Sequence, residues 1–344
     1  MQAIRTHVAG VDVHRDLLAI TVIRGEADKT PEVIQFECKT FTEDLIACGV
    51  KLLDLGIHEV ALESTGVYWK PIHNVWSTMN INIAVAQAAH VKNVPGRKTD
   101  MNDSHWLAEL HRFGLIRSSF IPDEIFQQMR SVSRHRTNLV EDLSRVKNRI
   151  QRTLEDGNVK LATIVSNVFG KSGLQILDLM ATGVTDPTRL AMRITTKIKR
   201  KEEARKALTN CLNREHIFLI KELMDQYHYL DKKIIDTENR LIDLSMPYRH
   251  LINKLKEIPG FHDILAIGVL AEATDQMDKF PDERKFAAWS GVAAGNNESA
   301  GKKKDQNAEK AILICGKYLY KQHMLQNRQR RHFTATNTTG LNLA

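Results

Sequence analysis

Cysteine is scarce in this chain, and its spacing fits no binding pattern. The four cysteines, Cys38, Cys48, Cys211 and Cys315, form no Cys-x-x-Cys pair and no zinc-ligand pattern. We therefore expect neither disulfides nor structural zinc, and reduced thiols of this kind are typical of a cytosolic protein.

Long apolar runs are also missing. A membrane span needs about 20 consecutive apolar residues, and no uncharged run approaches that length. The N-terminus lacks the charged and then apolar layout of a signal peptide. The sequence therefore predicts a soluble, intracellular protein.

Acidic residues are outnumbered by basic ones. The 344 residues include 49 Lys and Arg against 41 Asp and Glu, a net charge of +8, and the pI is near 9.2. This balance favours an acidic partner, with nucleic acid as the first candidate. A hydrophobic fraction of 42% excludes a disordered chain, and the length allows two or three domains.

Residues 1–122 have the pattern of an α/β domain. Strands are predicted at Val8–Asp12, Leu17–Ile23, Val33–Phe36, His58–Thr65 and Ile81–Gln87, and helices at Thr42–Leu55 and Trp69–Met79. Another helical pattern follows residue 103. The order β-β-β-α-β-α-β-α predicts a mixed sheet flanked by helices, which is the element order of an RNase H-like domain.

Residues 123–250 have the periodicity of long amphipathic helices. One apolar seam consists of Leu139, Leu143, Val146, Ile150 and Leu154, and the other of Ile220, Leu223, Tyr227, Leu230, Ile234, Thr237, Leu241 and Leu244. These seams suit an antiparallel pair, a dimer contact or two core helices of a bundle. Residues 170–205 lie between the two seams and have weak periodicity, so we assign no role to them.

Residues 251–304 predict a third, mainly helical unit. A Pro259-Gly260 turn before a small-residue apolar helix has the layout of a helix-hairpin-helix element, in which Gly260 would offer its backbone to a phosphate. The same pattern is also that of an ordinary turn. The stretch "FAAWSGVAAGNNESAGKKK", Phe286–Lys304, then ends in a Gly/Asn/Ser loop and lysines.

Basic side chains lie near several of these elements. The residues expected to contact nucleic acid, besides Gly260, are Arg97, Lys98, Arg134, Arg136, Arg145, Lys147, Arg149, Arg152, Lys302, Lys303 and Lys304.

Four carboxylates stand at the ends of predicted elements. Asp12 and Glu63 end strands, whereas Asp100 and Asp103 are spaced by three residues at a helix start and so share a face. Four negative charges at one sheet edge are tolerated when they bind cations, and hard oxygen ligands suit Mg²⁺ or Mn²⁺. Two such ions commonly serve phosphodiester displacement. The alternative is that each aspartate is a helix cap or a turn residue.

Four sequence blocks resemble those of the DEDD transposases of bacterial insertion sequences, the RNA-guided bridge recombinases. The blocks are "GVDVHRD", "ALESTGVYW", "GRKTDMNDSHWLAEL" and "KFAAWSGVAAGNNESAGKKK". The resemblance implies a RuvC-like domain, a coiled coil and a C-terminal transposase domain. It also implies a metal-binding tetrad, Asp12, Glu63, Asp100 and Asp103, with Ser299 as the nucleophile.

The same resemblance implies the partners and the chemistry. The partners would be donor and target double-stranded DNA, a noncoding guide RNA and further copies of the chain, in the bacterial cytoplasm at the nucleoid. A serine hydroxyl needs a base or a metal for activation, and metal ions held by the tetrad would supply it. Attack on a phosphate would leave a covalent phosphoserine link to DNA. Without the resemblance, Ser299 is simply a solvated loop serine.

Residues 305–344 depart from the family pattern. The family continues with a basic segment that contains Gly-Asn, which is absent here. Codons that encode Lys304–Lys317 can also encode that basic segment when they are read in a shifted frame. We therefore predict a one-base frameshift near Lys302–Lys304. Three functions therefore compete: an RNA-guided recombinase, a RuvC-like nuclease such as a junction resolvase, and an inactive remnant that only binds nucleic acid.

Overall fold

The structure is a computed structural model that describes residues 3–26, 29–63, 66–86, 103–116, 118–194 and 199–290, together with 298–299 and 302–303. For 199–201, 298–299 and 302–303 it describes the backbone only. The chain divides into two compact units, Met1–Ile121 and Pro122–Ala344. The division of the second part at residues 250 and 304 stays a prediction.

The first unit is the α/β domain that the sequence predicts. Its strands are β1 His7–Val13, β2 Leu17–Arg24, β3 Glu32–Lys39, β4 Glu59–Glu63 and β5 Asn82–Ala86, and its helices are α1 Thr42–Asp54, α2 Trp69–Ser77 and α3 Asp103–Arg112. The strand order is β3-β2-β1-β4-β5. β1, β2 and β3 pair antiparallel, whereas β1, β4 and β5 run parallel. This topology confirms the RNase H-like fold.

Helices cover both faces of the sheet. Ala9, Val11 and Val13 of β1 are buried in a core with residues from α1 and α2, of which Leu52 and Trp76 are fully covered. Since side chains alternate along a strand, Val8, Gly10 and Asp12 belong to the opposite face. That face carries α3, because Val8 and Ile23 form a buried cluster with Ala108.

The second unit is helical. Its helices are α4 Glu124–Asp156, α5 Leu161–Ile164, α6 Lys171–Ala181, α7 Pro187–Ala191, α8 Lys199–Leu208, α9 Arg214–Ser245, α10 Arg249–Lys256, α11 Asp263–Ala273 and α12 Glu283–Trp289. Two-residue strands β6 Glu298–Ser299 and β7 Lys302–Lys303 form a hairpin. Among the described residues, no helix is both long and apolar enough to cross a membrane.

The two long helices, α4 and α9, form an antiparallel coiled coil within the chain. Arg136 pairs with Glu238 at 2.6 Å near one end, and Asp156 pairs with His216 at 2.9 Å near the other. All five predicted apolar residues of α4 are buried in a core shared with α9. Of the three alternatives, the structure shows the antiparallel pair. The seam therefore packs inside the chain.

A small helical cap, residues 157–213, connects the two long helices and contains residues 170–205, for which the sequence pattern predicts no role. It closes on itself because the Cys211 N–H donates to the Gly157 carbonyl (2.8 Å) and the Lys160 N–H to the Ala207 carbonyl (2.8 Å). Ile176, Met180, Leu190 and Leu208 of the cap belong to the same core as the coiled coil. The cap is thus a folded continuation of the coiled coil.

A buried ion cluster joins α4 to the end of α11. Glu272 is 1% exposed, and Arg134 donates both arms of its guanidinium to the Glu272 carboxylate at 3.0 and 3.1 Å. Arg130 donates to the backbone carbonyls of Ala271 and Glu272 at 2.7 and 2.5 Å. Burial lowers the pKa of Arg130, whereas the nearby negative charge of Glu272 acts in the opposite direction. Breaking such a buried pair is costly, so the cluster holds α11 firmly on α4.

Candidate active site

Asp12 and Glu63 lie side by side at one edge of the sheet. Parallel pairing of β1 with β4 places Val11 opposite Leu62, and the next residues along the two strands are Asp12 and Glu63. Glu63 shares the α3 face, because Glu59, four residues earlier on β4, reaches His111 of α3. Two of the four predicted carboxylates therefore occupy neighbouring strand ends on the same face.

The direction of α3 places Asp103 at that edge as well. The Arg112 carbonyl, at the C-terminal end of α3, accepts hydrogen bonds from the Ile4 and Arg5 N–H groups before β1 begins. α3 therefore runs antiparallel to β1. Its first residue, Asp103, lies toward the end of β1 that carries Asp12, and Asp103 is exposed.

The approach of α3 to the sheet depends on Gly10. A Cβ atom at Gly10 would overlap the backbone of Ser104 and Ala108, with Ala108 Cα only 2.9 Å away. Such a contact is far closer than van der Waals packing allows. The absence of a side chain at this position lets the start of α3 lie directly on β1.

Gly10→Ala is therefore expected to push α3 away from the sheet. The free energy of unfolding of the first unit should fall by about 3 kcal/mol, the upper range for overpacking, because the clash is with backbone. Urea unfolding of the Gly10→Ala protein, compared with the wild type, measures this loss. Gly170→Ala is the control, since a Cβ there meets no atom closer than 3.2 Å; an equal, small effect of the two changes would contradict the account.

A buried hydrogen-bond chain fixes the first turn of α3. Ser104 Oγ and Thr21 Oγ1 are 2.8 Å apart, and Gln35 Nε2 donates to Thr21 Oγ1 at 3.1 Å. Thr21 and Ser104 are both fully buried. The sequence motifs do not include these residues, although a threonine inside the apolar run "LLAITVI" is a usable signal for a buried polar contact. Because Ser104 follows Asp103 directly, the chain positions that carboxylate.

The donor set suits a hard divalent cation, since carboxylate oxygens are the ligands that Mg²⁺ prefers. Asp12 is partly buried and lies 3.2 Å from His14 Nε2. Within the part of the chain that the structure describes, however, no three acidic, His or Cys side chains form a metal-binding group. Asp100, the fourth predicted ligand, lies outside the described residues. The metal site therefore stays a prediction, supported by the placement of three of its four carboxylates.

His111 makes the first unit sensitive to acid. Its side chain is 3% exposed and lies 3.6 Å from Glu59. Burial, reinforced by the Arg5 charge, lowers the pKa of His111 from 6.5 to about 4. The unfolded chain therefore takes up the proton first, so stability falls as the pH drops from 6.5 to 4 and levels off below 4.

The expected loss over that range is about 3 kcal/mol. Urea unfolding at several pH values measures it. His111→Gln should flatten the profile between pH 4 and 6.5, whereas His58→Gln, at an exposed position, should leave it unchanged. An unaltered profile in the His111 variant would contradict this assignment.

The predicted nucleophile lies on the small hairpin of the second unit. Ser299 on β6 pairs with Lys302 on β7, and Glu298 pairs with Lys303. The serine and the first lysine are thus backbone neighbours rather than parts of an open loop. Lys304, as well as Arg97 and Lys98, lies outside the described residues.

The predicted basic face of α4 is only partly a free surface. Arg134 and Arg136 are engaged with Glu272 and Glu238, so their charges are paired within the unit. Arg145 pairs with Asp142, and Lys147 lies over the rings of Phe169 and Tyr227. Arg149 and Arg152 are exposed. The side chains of Arg134, Arg136, Arg145 and Lys147 are therefore engaged in charge pairs or packing within the unit.

Gly260 has the backbone conformation of a tight turn. Its φ of 89° is in the left-handed region that glycine adopts without strain. The turn joins α10 to α11, as the sequence predicts. At the start of α11, Asp263 accepts from Lys256 at 2.9 Å and pairs with Arg249, and these contacts lower the pKa of Asp263. Phosphate binding by this turn stays a prediction.

Two family models match the chain. Residues 9–158 match the transposase model DEDD_Tnp_IS110, and residues 252–311 match the model described as Transposase IS116/IS110/IS902 family. The chain belongs to the IS110 family of transposases. The matches cover well over half of the chain, include all four predicted carboxylates and Ser299, and identify an enzyme that cleaves and rejoins DNA.

Solved structures of RuvC are also similar to this IS110 transposase. It is similar to the Thermus thermophilus RuvC structure, with 14% identity over 34% of this chain and 86% of RuvC, and a TM-score of 0.23. For T. thermophilus RuvC in complex with a Holliday junction substrate the identity is 13%, over 35% and 85% of the two chains, and the TM-score is 0.22. No curated protein matches the transposase.

The departure of the tail from the family pattern, beyond the second match, stays a prediction. The match of the IS110 transposase to its family ends at residue 311, and residues 304–344 lie outside the described part of the structure. The frameshift near Lys302–Lys304 therefore stays a prediction.

Proposed function

We propose that this transposase cuts and rejoins double-stranded DNA by serine chemistry assisted by Mg²⁺ or Mn²⁺, under the direction of a noncoding guide RNA. The observation that carries the proposal is the placement of Asp12, Glu63 and Asp103 at one edge of an RNase H-like sheet. Their positions follow from strand register and helix direction rather than from sequence spacing alone.

The carboxylates of Asp12, Glu63 and Asp103, together with Asp100, would hold the divalent cation. A bound cation of this kind lowers the pKa of a hydroxyl and offsets charge on a phosphate. Three negative groups at one edge repel one another, and a cation removes that cost. The position of Asp103 at the N-terminus of α3 also stabilises its negative charge.

Ser299 would supply the nucleophile. Its hydroxyl loses a proton, Ser299 Oγ forms a bond to phosphorus, and the phosphorus–oxygen bond to one deoxyribose breaks; that oxygen leaves as a hydroxyl. The resulting phosphoserine ester keeps the bond energy of the phosphodiester. Attack by a deoxyribose hydroxyl of another strand then releases Ser299 and joins the DNA, so the overall reaction needs no ATP. Lys302, the strand partner of Ser299, is suited to bind the phosphate.

A plain nuclease of the RuvC kind is the main alternative. Such an enzyme would use the carboxylates and water, and would not need Ser299. The match of residues 252–311 to a transposase model favours the recombinase. Both functions place the protein at DNA in the bacterial cytoplasm, and in the recombinase copies of the chain would bring two DNA strands together.

A strand-exchange assay tests the proposal. The full chain is mixed with donor and target duplexes, the RNA transcribed from the gene's own flank, and Mg²⁺. Recombinant DNA should form only when both RNA and Mg²⁺ are present. Joined products without RNA would refute guidance, and cut but unjoined DNA ending in free phosphate would favour the nuclease.

A further inference from the structure

The excess positive charge of the chain is concentrated in the helical cap. Residues 157–213 contain ten Lys and Arg but only four Asp and Glu, a net charge of +6, whereas the whole chain carries +8. The cap is a minor part of the length and holds most of the net charge. A field of this kind attracts a polyanion.

The carboxylates of the cap are mostly engaged. Asp178 pairs with His228 at 2.8 Å, Asp186 accepts from the Arg189 N–H at 2.8 Å as the cap of α7, and Glu202 pairs with Arg205 at 2.7 Å. The acidic side chains therefore neutralise few of the cations around them.

Three cations remain in excess on adjoining helices. Arg189 on α7, Arg193 just after it and Lys206 on α8 are exposed, and within the described residues none has a carboxylate at ion-pair distance. α8 lies against α7 and buries Ala204 and Leu208 with Leu190 in one core. α8 begins with Lys199, Arg200 and Lys201, which add to the positive charge of this helix.

The composition of the cap also indicates what kind of polyanion fits. Phe169 is its only aromatic residue, and that ring is stacked on Tyr227 at 5.6 Å. Binding of single strands and RNA loops relies on exposed aromatic rings that stack on bases. The cap offers cations without such rings, which suits the regular phosphate backbone of a duplex.

We propose that the cap at the end of the coiled coil is a second DNA-binding site, which contacts the backbone of duplex DNA through Arg189, Arg193 and Lys206 without reading its sequence. The choice of DNA rests on the proposed function, whereas the cationic surface does not. The site lies in the second unit and involves none of the catalytic residues.

The test compares two triple variants of the full chain that have the same net charge. The first carries Arg189→Gln, Arg193→Gln and Lys206→Gln in the cap. The second, the control, carries Lys221→Gln, Lys232→Gln and Arg240→Gln on exposed positions of α9. Thermal unfolding confirms that both variants are folded. Binding is measured in EDTA, so that affinity is obtained without strand cleavage and independently of the proposed catalysis.

The cap variant should bind a random-sequence duplex at least about 10-fold more weakly than the wild type, and its log K against log salt slope should be shallower by about 2 to 3, since each phosphate contact contributes about 0.9. The control should stay close to the wild type. Equal losses in the two variants would show that net charge alone matters and would overturn the site. Unchanged duplex binding by the cap variant would also overturn the site. Binding to a hairpin RNA and to phosphatidylserine vesicles is measured in the same way, and a loss confined to either of these probes would overturn it too.

Discussion

Asp12→Asn is expected to lower DNA cleavage by more than about 100-fold. Loss of residues that only support a metal ligand commonly costs 10 to 100-fold, so loss of a ligand itself should exceed that range. The fold should survive, because Asp12 lies at a strand end and its side chain is partly exposed. Its replacement also removes a negative charge beside Glu63, so thermal unfolding should be unchanged or shifted slightly upward.

Asp16→Asn is the matched control for this experiment. Asp16 is four residues away, and its side chain is 86% exposed. Cleavage of duplex DNA from the flanks of the gene, followed on a denaturing gel in Mg²⁺ and in EDTA, compares the two variants with the wild type. Full cleavage by Asp12→Asn protein would remove the carboxylate edge from the mechanism.

Ser299→Ala is expected to abolish strand cleavage, with a loss of about 1,000-fold or more, since the proposed covalent ester forms through the hydroxyl of Ser299. Binding of DNA should persist, because the change removes one hydroxyl on a two-residue strand. Ser166→Ala, at an exposed serine of the cap, should retain wild-type cleavage. Ser299→Cys should retain measurable activity, because a thiolate is also a nucleophile.

The alternative outcome for Ser299 is equally specific. If the enzyme were a nuclease that uses water, Ser299→Ala protein would cut DNA at the wild-type rate and would still depend on Mg²⁺ and Asp12. That pattern would show that the carboxylates are catalytic and that the serine is not.

The order of elements in the first unit was predictable, since short apolar runs and turn signals are local features. The position of α3 was not. It depends on the approach of Ser104 and Ala108 to Gly10, residues far apart in the sequence, and on the Thr21–Ser104 hydrogen bond. The spacing of Asp100 and Asp103 predicts a shared helix face, whereas only the sheet register places Asp12 beside Glu63.

The second unit shows where sequence patterns fail. Arg134 looked like part of a solvated basic face, because its partner, Glu272, is 138 residues away in a mainly apolar helix. The cap was missed for a different reason. Its helices are short, and α6 has only 11 residues, so the buried positions do not repeat often enough to produce a clear period.

The most direct test of serine chemistry is to identify the atom that becomes attached to DNA. The full chain is incubated with Mg²⁺, RNA and a labelled duplex, quenched in denaturant, digested, and analysed by mass spectrometry for a peptide that carries a nucleotide phosphate. One such peptide is expected, with the phosphate on Ser299, and it should be lost in both the Ser299→Ala and Asp12→Asn proteins. DNA cleavage without any phosphopeptide, or a phosphate on another residue, would contradict this expectation.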